Sequence, residues 1–213
     1  MTAALTIGLI LAGLALLLFS WLGRDIVAGV TPAIDESLRN ALHAHSSPEL
    51  TRVMIAASRY GGPGWLVPIG IALGFGFLLK GWPRGALLVG ITVAGAGLLN
   101  AMLKQGFART RPAAFFDYPL PPSHSFPSGH AFFAASFFGG LAVLVSGRVR
   151  HRALRALLWI AAIGLTLLVG ISRVYLGVHY PSDVCAGYAA AVVWVAGVAF
   201  GDRLLRHRRG RVG

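Results

Sequence analysis

An all-α, polytopic membrane fold is what this sequence predicts, on three observations. Of its 213 residues, 56% are hydrophobic and only 12% charged, with a mean hydropathy of +0.70, more apolar surface than a soluble chain of this size shields from water. The apolar residues gather into six runs of roughly 17–25 residues, the length of helix that crosses a hydrocarbon core. The 19 Lys and Arg against 7 Asp and Glu fall mostly in short segments beside those runs, so the formal charge of +12 reads as a topology signal rather than a nucleic-acid surface. A six-transmembrane-helix bundle follows, and no nucleic-acid partner is expected.

The first run, Ala3 to Leu22, lacks a basic leader and reaches Trp21 and Arg24 without a clean small-x-small exit, so it is expected to remain as a helix rather than leave as a signal peptide. Residues 31–59 are more polar. There Ile34, Leu38, Ala41 and Leu42 form one apolar helical stripe, Pro32 suits a first turn after Thr31, and Ser46-Ser47-Pro48 breaks the run. The pattern predicts a short interfacial helix between the first two spans, then a second from about Pro48 to Arg59. This segment caps the site, admits lipid sideways, or is a connector covering a bundle edge. The remaining spans are predicted near Gly64 to Leu79, Arg84 to Leu103, Ser128 to Ser146, Ala153 to Ile171 and Ser182 to Phe200, as parts of one integral membrane domain over 1–213. Gly70, Gly74, Gly76, Gly90, Gly95 and Gly97 suit close helix packing in lipid. The single cysteine, Cys185, rules out a disulfide within these residues and is expected as a buried small hydrophobe. The basic tail 203–213 would touch anionic lipid or act as a solvated anchor.

With six spans, both termini share a side with the loops Lys80 to Arg84 and Gly147 to Arg152, and eleven of the 19 Lys and Arg residues lie there. The positive-inside rule makes that side cytoplasmic. Three polar clusters then fall on the opposite face: Lys104 to Pro112 (KQGFARTRP) and Phe126 to His130 (FPSGH) between spans three and four, and Ser172 to Asp183 (SRVYLGVHYPSD) between spans five and six. Charge beside hydrocarbon is costly unless it finds protein or water. His130, His179, Asp183, Lys104, Arg111 and Arg173 gathered there point to a phosphate-handling site. Taken singly, Lys104 would be a snorkelling lysine, Ser128 an N-cap and Asp183 an early-turn carboxylate. Arg109, His124 and Asp117 read as loop or rim residues. The apolar stretch Ala113 to Pro122 is either a packed loop or a segment dipping into headgroups.

Lys104, six residues, Arg111-Pro112; then Pro127-Ser128-Gly129-His130; then Ser172-Arg173, five residues, His179, three residues, Asp183: this ordered pattern resembles the type 2 phosphatidic acid phosphatase superfamily. The resemblance implies that His179 is the nucleophile, forming a phosphohistidine. Asp183 would fix its tautomer and stabilise its developing charge, as in a Ser-His-Asp triad, and His130 would serve as general acid and then base. Lys104, Arg111 and Arg173 would cradle the phosphoryl oxygens, while Ser128 and Gly129 at a helix start offer backbone N–H groups to the anion. Residues four apart meet on a helix, so His179 and Asp183 should straddle the start of the sixth span.

The resemblance further implies metal-independent hydrolysis of a phosphomonoester or diphosphate on a lipid, with no cofactor. Undecaprenyl diphosphate and phosphatidylglycerol phosphate lead phosphatidic acid and lipid A phosphate as expected substrates, and vanadate is expected to inhibit. The implied setting is the inner (cytoplasmic) membrane, with the site facing the periplasm or cell exterior. A transporter using the same basic site without hydrolysis is the alternative. It is disfavoured because no internal repeat is evident and the basic residues lie at span ends rather than at a midplane break.

Overall fold

The structure, a computed structural model, describes residues 3–30 and 33–209. Among the described residues there are eight helices: α1 (Ala3–Val27), α2 (Ala33–Ala44), α3 (Pro48–Tyr60), α4 (Pro63–Leu79), α5 (Pro83–Phe107), α6 (Gly129–Ser146), α7 (Arg152–Tyr175) and α8 (Pro181–Arg209). No strand occurs among the described residues. The predicted Thr31-Pro32 helix start and the last residues of the basic tail lie outside them.

Local chemistry sets the boundaries. Proline opens α3, α4, α5 and α8, where its fixed φ suits the first turn and its missing N–H is no loss. Ser47 caps α3 by accepting from the Leu50 N–H at 3.2 Å. Helices α1, α5, α6, α7 and α8 are long and apolar enough to cross a membrane, and α3 with α4 meets the same test as one pair bent by 49°. Among the described residues this gives up to six crossings, if the bent pair is a single broken span. The second helix expected from about Pro48 to Arg59 is present as α3, set off from α4 by the break at Gly61-Gly62. A correction concerns the polar clusters. Lys104 lies in the last turn of α5, and Ser172 and Arg173 in the last turns of α7, because a helix keeps its backbone hydrogen bonds beyond the point where its sequence stops being apolar.

Within the bundle, α8 packs against α6 and α1, and α6 also against α5 and α7. Ala96 of α5, Phe132 and Phe133 of α6 and Ala191 of α8 form one buried cluster. Leu22 and Ile26 of α1 close another over Phe126 and Ala186. Large apolar side chains such as Leu17, Ile71 and Ile160 stay exposed on the outside, as lipid-facing positions do. Cys185 is exposed on α8, not buried as expected: three α8 neighbours, Val184, Ala186 and Gly187, take the inner positions.

Gly187 is where this packing reaches the site. A Cβ there would stand 2.8 Å from the Ser128 carbonyl oxygen, backbone that cannot swing aside. Gly187→Ala is expected to cost about 1–3 kcal/mol of stability as an overpacking change and to lower activity by displacing the start of α6. Thermal unfolding in detergent alongside a phosphate-release assay checks both.

Helix α2 turns its polar side inward. Asp35 and Arg39 are buried while Ile34 and Leu38 are exposed, and Leu42 packs on Ala131, Val174 and Val184. Of the stripe predicted to meet the interface, Ile34, Leu38 and Ala41 face away from the bundle, while Leu42 turns into it. The stretch after α5 takes the packed alternative: Phe115 stacks on His43 at 3.9 Å, Phe116 on Tyr175 at 5.3 Å, and the Phe115 N–H donates to the Leu176 carbonyl at 3.0 Å.

Candidate active site

The C-terminal ends of α5 and α7 and the N-terminal ends of α6 and α8 meet at one end of the bundle. After α7, Gly177 turns the chain at φ +76°, and a Cβ there would strike the Phe115 nitrogen at 2.6 Å. Glycine is required on both counts. The turn delivers His179, and Pro181 then opens α8.

Asp183, the third residue of α8, is enclosed by donors. Its Oδ2 accepts from the Tyr180 N–H at 2.9 Å, from the Ser125 hydroxyl and from His179 Nδ1 at 3.2 Å. Its Oδ1 accepts from Arg109 Nη1 at 2.6 Å. The partner of Nδ1 sets the tautomer: Nδ1 carries the hydrogen and Nε2 the lone pair, toward which Arg111 Nη1 points at 3.0 Å. Burial pushes His179 down to about 3, an effect its hydrogen bond to Asp183 offsets in part and the Arg111 and Arg173 charges reinforce. The imidazole is thus neutral, with Nε2 unprotonated, across the physiological range.

That depressed value gives a pH prediction. Between about 3 and the ordinary 6.5, the unfolded chain binds a proton at His179 that the folded chain refuses. The contribution is fully present above 6.5 and is lost as pH falls toward 3, at up to about 1.4 kcal/mol per pH unit. Unfolding midpoints in detergent should therefore drop from pH 7 to pH 5, and a His179→Gln variant should show a shallower drop. Equal slopes would contradict the burial argument.

The cations lie around this ring. Arg111 is held by backbone, donating from Nε to the Ser123 carbonyl at 2.7 Å and from Nη1 to the Val178 carbonyl at 2.8 Å. Lys104 Nζ donates to the His124 carbonyl. Arg173, 1% exposed, donates to the Ser58 hydroxyl of α3 and lies by the Tyr118 ring at 5.6 Å, and its Nε has no partner. None of these three cations enters an ion pair among the described residues. Burial and then the Arg173 charge lower Arg111 to about 10. Buried positive charge without a bound carboxylate, one donor left unsatisfied, is an arrangement that an anion completes.

Ser128 caps α6. Its side chain accepts from the Ala131 N–H at 3.5 Å, and its own N–H donates to the Asp183 carbonyl at 2.9 Å, which ties the α6 start to α8. A Cβ on Gly129 would meet Asn100 at 3.1 Å. His130, half-buried on the first turn of α6, packs against the α3–α4 bend, where a Cβ on Gly62 would stand 2.7 Å from its Nε2. It lies within electrostatic reach of Arg173, His179, Arg111 and Lys104. Ser172 back-bonds to the Val169 carbonyl at 2.6 Å and serves its own helix.

Arg109, expected as a loop or rim residue, lies in the loop after α5 but not at a rim: it is buried and joins Asp183 to Asp35 of α2, the latter at 3.0 Å. Asp35, Ser125 and Ser58 carried no sequence signal, since each earns its place only by a contact with a distant element. Asp117 sits in a turn at φ +50°, and His124 contributes its carbonyl.

The sequence profile of the PAP2 superfamily matches residues 85–202. Phosphatidylglycerophosphatase B of Bacillus subtilis is 32% identical over 200 residues, covering 91% of this chain and 96% of the relative. Lipid A 1-phosphatase of Rhizobium etli is 36% identical over 154 residues, 61% of this chain and 62% of the relative. Among solved structures, the transmembrane PAP2-type phosphatidylglycerolphosphate phosphatase of Bacillus subtilis superposes with a TM-score of 0.80 at 30% identity, covering 90% of this chain and 96% of that one.

Proposed function

The chain belongs to the PAP2 superfamily, and from that premise we propose that it is an integral membrane lipid phosphatase acting through a phosphohistidine on His179. The observation that carries this reading is the His179 ring itself: neutral by burial, its Nδ1 bonded to Asp183 and its Nε2 directed at Arg111, amid cations that lack carboxylate partners.

The Nε2 lone pair attacks phosphorus, and the bond to the leaving oxygen breaks as that oxygen takes a proton from His130. Asp183 stabilises the positive charge that arises on the His179 ring. Lys104, Arg111 and Arg173 bind the non-bridging oxygens, with the N–H groups at the start of α6 beside Ser128 and Gly129. His130 then takes a proton from water, the water oxygen attacks phosphorus, and the P–N bond breaks to release phosphate and the neutral imidazole. Only charges fixed in place take part, so turnover needs no metal.

The substrates are phosphate groups on lipids. Phosphatidylglycerol phosphate stands first, since the relative that spans nearly the whole chain is named for it, with undecaprenyl diphosphate and lipid A phosphate next. The positive-inside argument puts the termini in the cytoplasm and the histidines at the outer face of the inner membrane. Transport without hydrolysis gains nothing from these relatives, which are phosphatases. The test is inorganic phosphate release from phosphatidic acid, phosphatidylglycerol phosphate, undecaprenyl diphosphate and lipid A in mixed micelles, with and without chelator. Phosphate from none of them overturns the reading, and loss of activity on chelation overturns its metal independence.

A further inference from the structure

Asp35 lies in none of the three motif segments, yet it is 1% exposed. Helix α2 carries it inward on its polar side. Its Oδ1 accepts from the Ser182 N–H at 2.8 Å and its Oδ2 from the Ser182 hydroxyl at 2.5 Å, so a carboxylate from another helix caps the first turn of α8. The same Oδ2 accepts from Arg109 Nη2 at 3.0 Å. Arg109 reaches Asp183 Oδ1 with its other amino group at 2.6 Å and Ser182 Oγ at 2.8 Å, and its guanidinium lies over the Tyr180 ring at 4.1 Å. One buried fork therefore bridges two carboxylates, and the second of them holds His179.

The charge count gives the arrangement a consequence. Were Arg109 and Asp183 alone, they would form a neutral pair, and the guanidinium would take up much of the carboxylate's pull. With Asp35 the trio carries one net negative charge, on the side of His179 away from Arg111. Positive charge arising on the imidazole during attack on phosphorus then meets an uncompensated carboxylate in a water-poor setting, where electrostatic effects are large. We propose that Asp35 and Arg109 are positioning residues for the nucleophile: Arg109 fixes the Asp183 carboxylate, and Asp35 cancels the Arg109 charge so that Asp183 acts on His179 at full strength. The proposal rests on the phosphohistidine reading. It also makes docking of α2, whose exposed stripe holds Ile34 and Leu38, a condition of a competent active site.

The test uses full-length protein in mixed micelles with phosphatidic acid and phosphatidylglycerol phosphate as probes. Wild type and His179→Ala come first: equal phosphate release by the two sinks the phosphohistidine reading itself. Where release depends on His179, Asp35→Asn is expected to lower kcat about 10- to 100-fold with KM within about twofold, the signature of an interaction strengthened in the transition state. Adding Arg109→Gln to Asp35→Asn removes the unbalanced cation and should raise kcat at least about threefold over Asp35→Asn alone, a coupling that a double-mutant cycle reads directly. A strut that merely held α2 in place would give a double variant no faster than the single one. Wild-type kcat in Asp35→Asn, a change confined to KM, or no recovery in the double variant overturns the proposal. Should Asp35→Asn fail to accumulate, Arg109→Lys keeps the charge and gives up the fork. A kcat loss at unchanged KM then supports the proposal, and wild-type kcat overturns it.

Discussion

His179→Ala is expected to cut phosphate release by at least about 1,000-fold, since removing the nucleophile of a covalent mechanism leaves only binding and electrostatic assistance to water. The variant should still fold. Asp183 keeps its bonds from Arg109, Ser125 and the Tyr180 N–H, so no carboxylate is stranded in the interior when the imidazole is lost. A rapid-quench experiment with lipid carrying radiolabelled phosphate separates chemistry from folding. Wild type should show acid-labile protein-bound label, and the variant none. Label or steady turnover persisting in His179→Ala would assign the nucleophile to another group.

Arg173→Lys should lower kcat/KM by about 100- to 1,000-fold, the range seen when one fixed transition-state donor is lost. Arg173 lies too deep to be a headgroup anchor, and its guanidinium bonds Ser58 while leaving Nε without a partner. An ammonium on a flexible stem cannot hold Ser58 and present a planar fork to phosphate at once. Vanadate inhibition supplies a readout of anion binding that does not depend on turnover, and it should weaken in parallel. Unchanged kcat/KM together with unchanged vanadate inhibition would remove Arg173 from the phosphate cradle.

The places where sequence reading succeeded and failed follow from how local each signal is. Pro181 announces a helix start, and Asp183 two residues on is where a carboxylate can cap it, so the nearness of His179 and Asp183 was legible from spacing, while the role of the pair came from the family resemblance. Ser128 before the apolar run of α6 was equally plain. Arg109 illustrates the opposite case. It stands two residues before Arg111 in a loop, and no pattern says which of two neighbouring arginines turns inward; only the pairing with Asp35 and Asp183 decides it. The extent of α5 and α7 was underread for a related reason: apolarity measures contact with lipid, whereas the helix itself continues into protein, carrying Lys104 and Arg173 on its last turns.

By itself the sequence determined the class of fold, the span positions, the order of the three motif segments and the family they resemble, because hydropathy, helix starts and spacing are properties of neighbouring residues. Tertiary structure alone decided that α3 joins α4 across a bend, that Cys185 faces outward, and that Asp35 meets Ser182 from 147 positions away. The sense in which α2 docks belongs to the second group. In water an apolar stripe turns toward the protein, but beside a bilayer it is free to turn out and the polar side in. A stripe's existence is therefore written in the sequence, while its direction depends on what surrounds it.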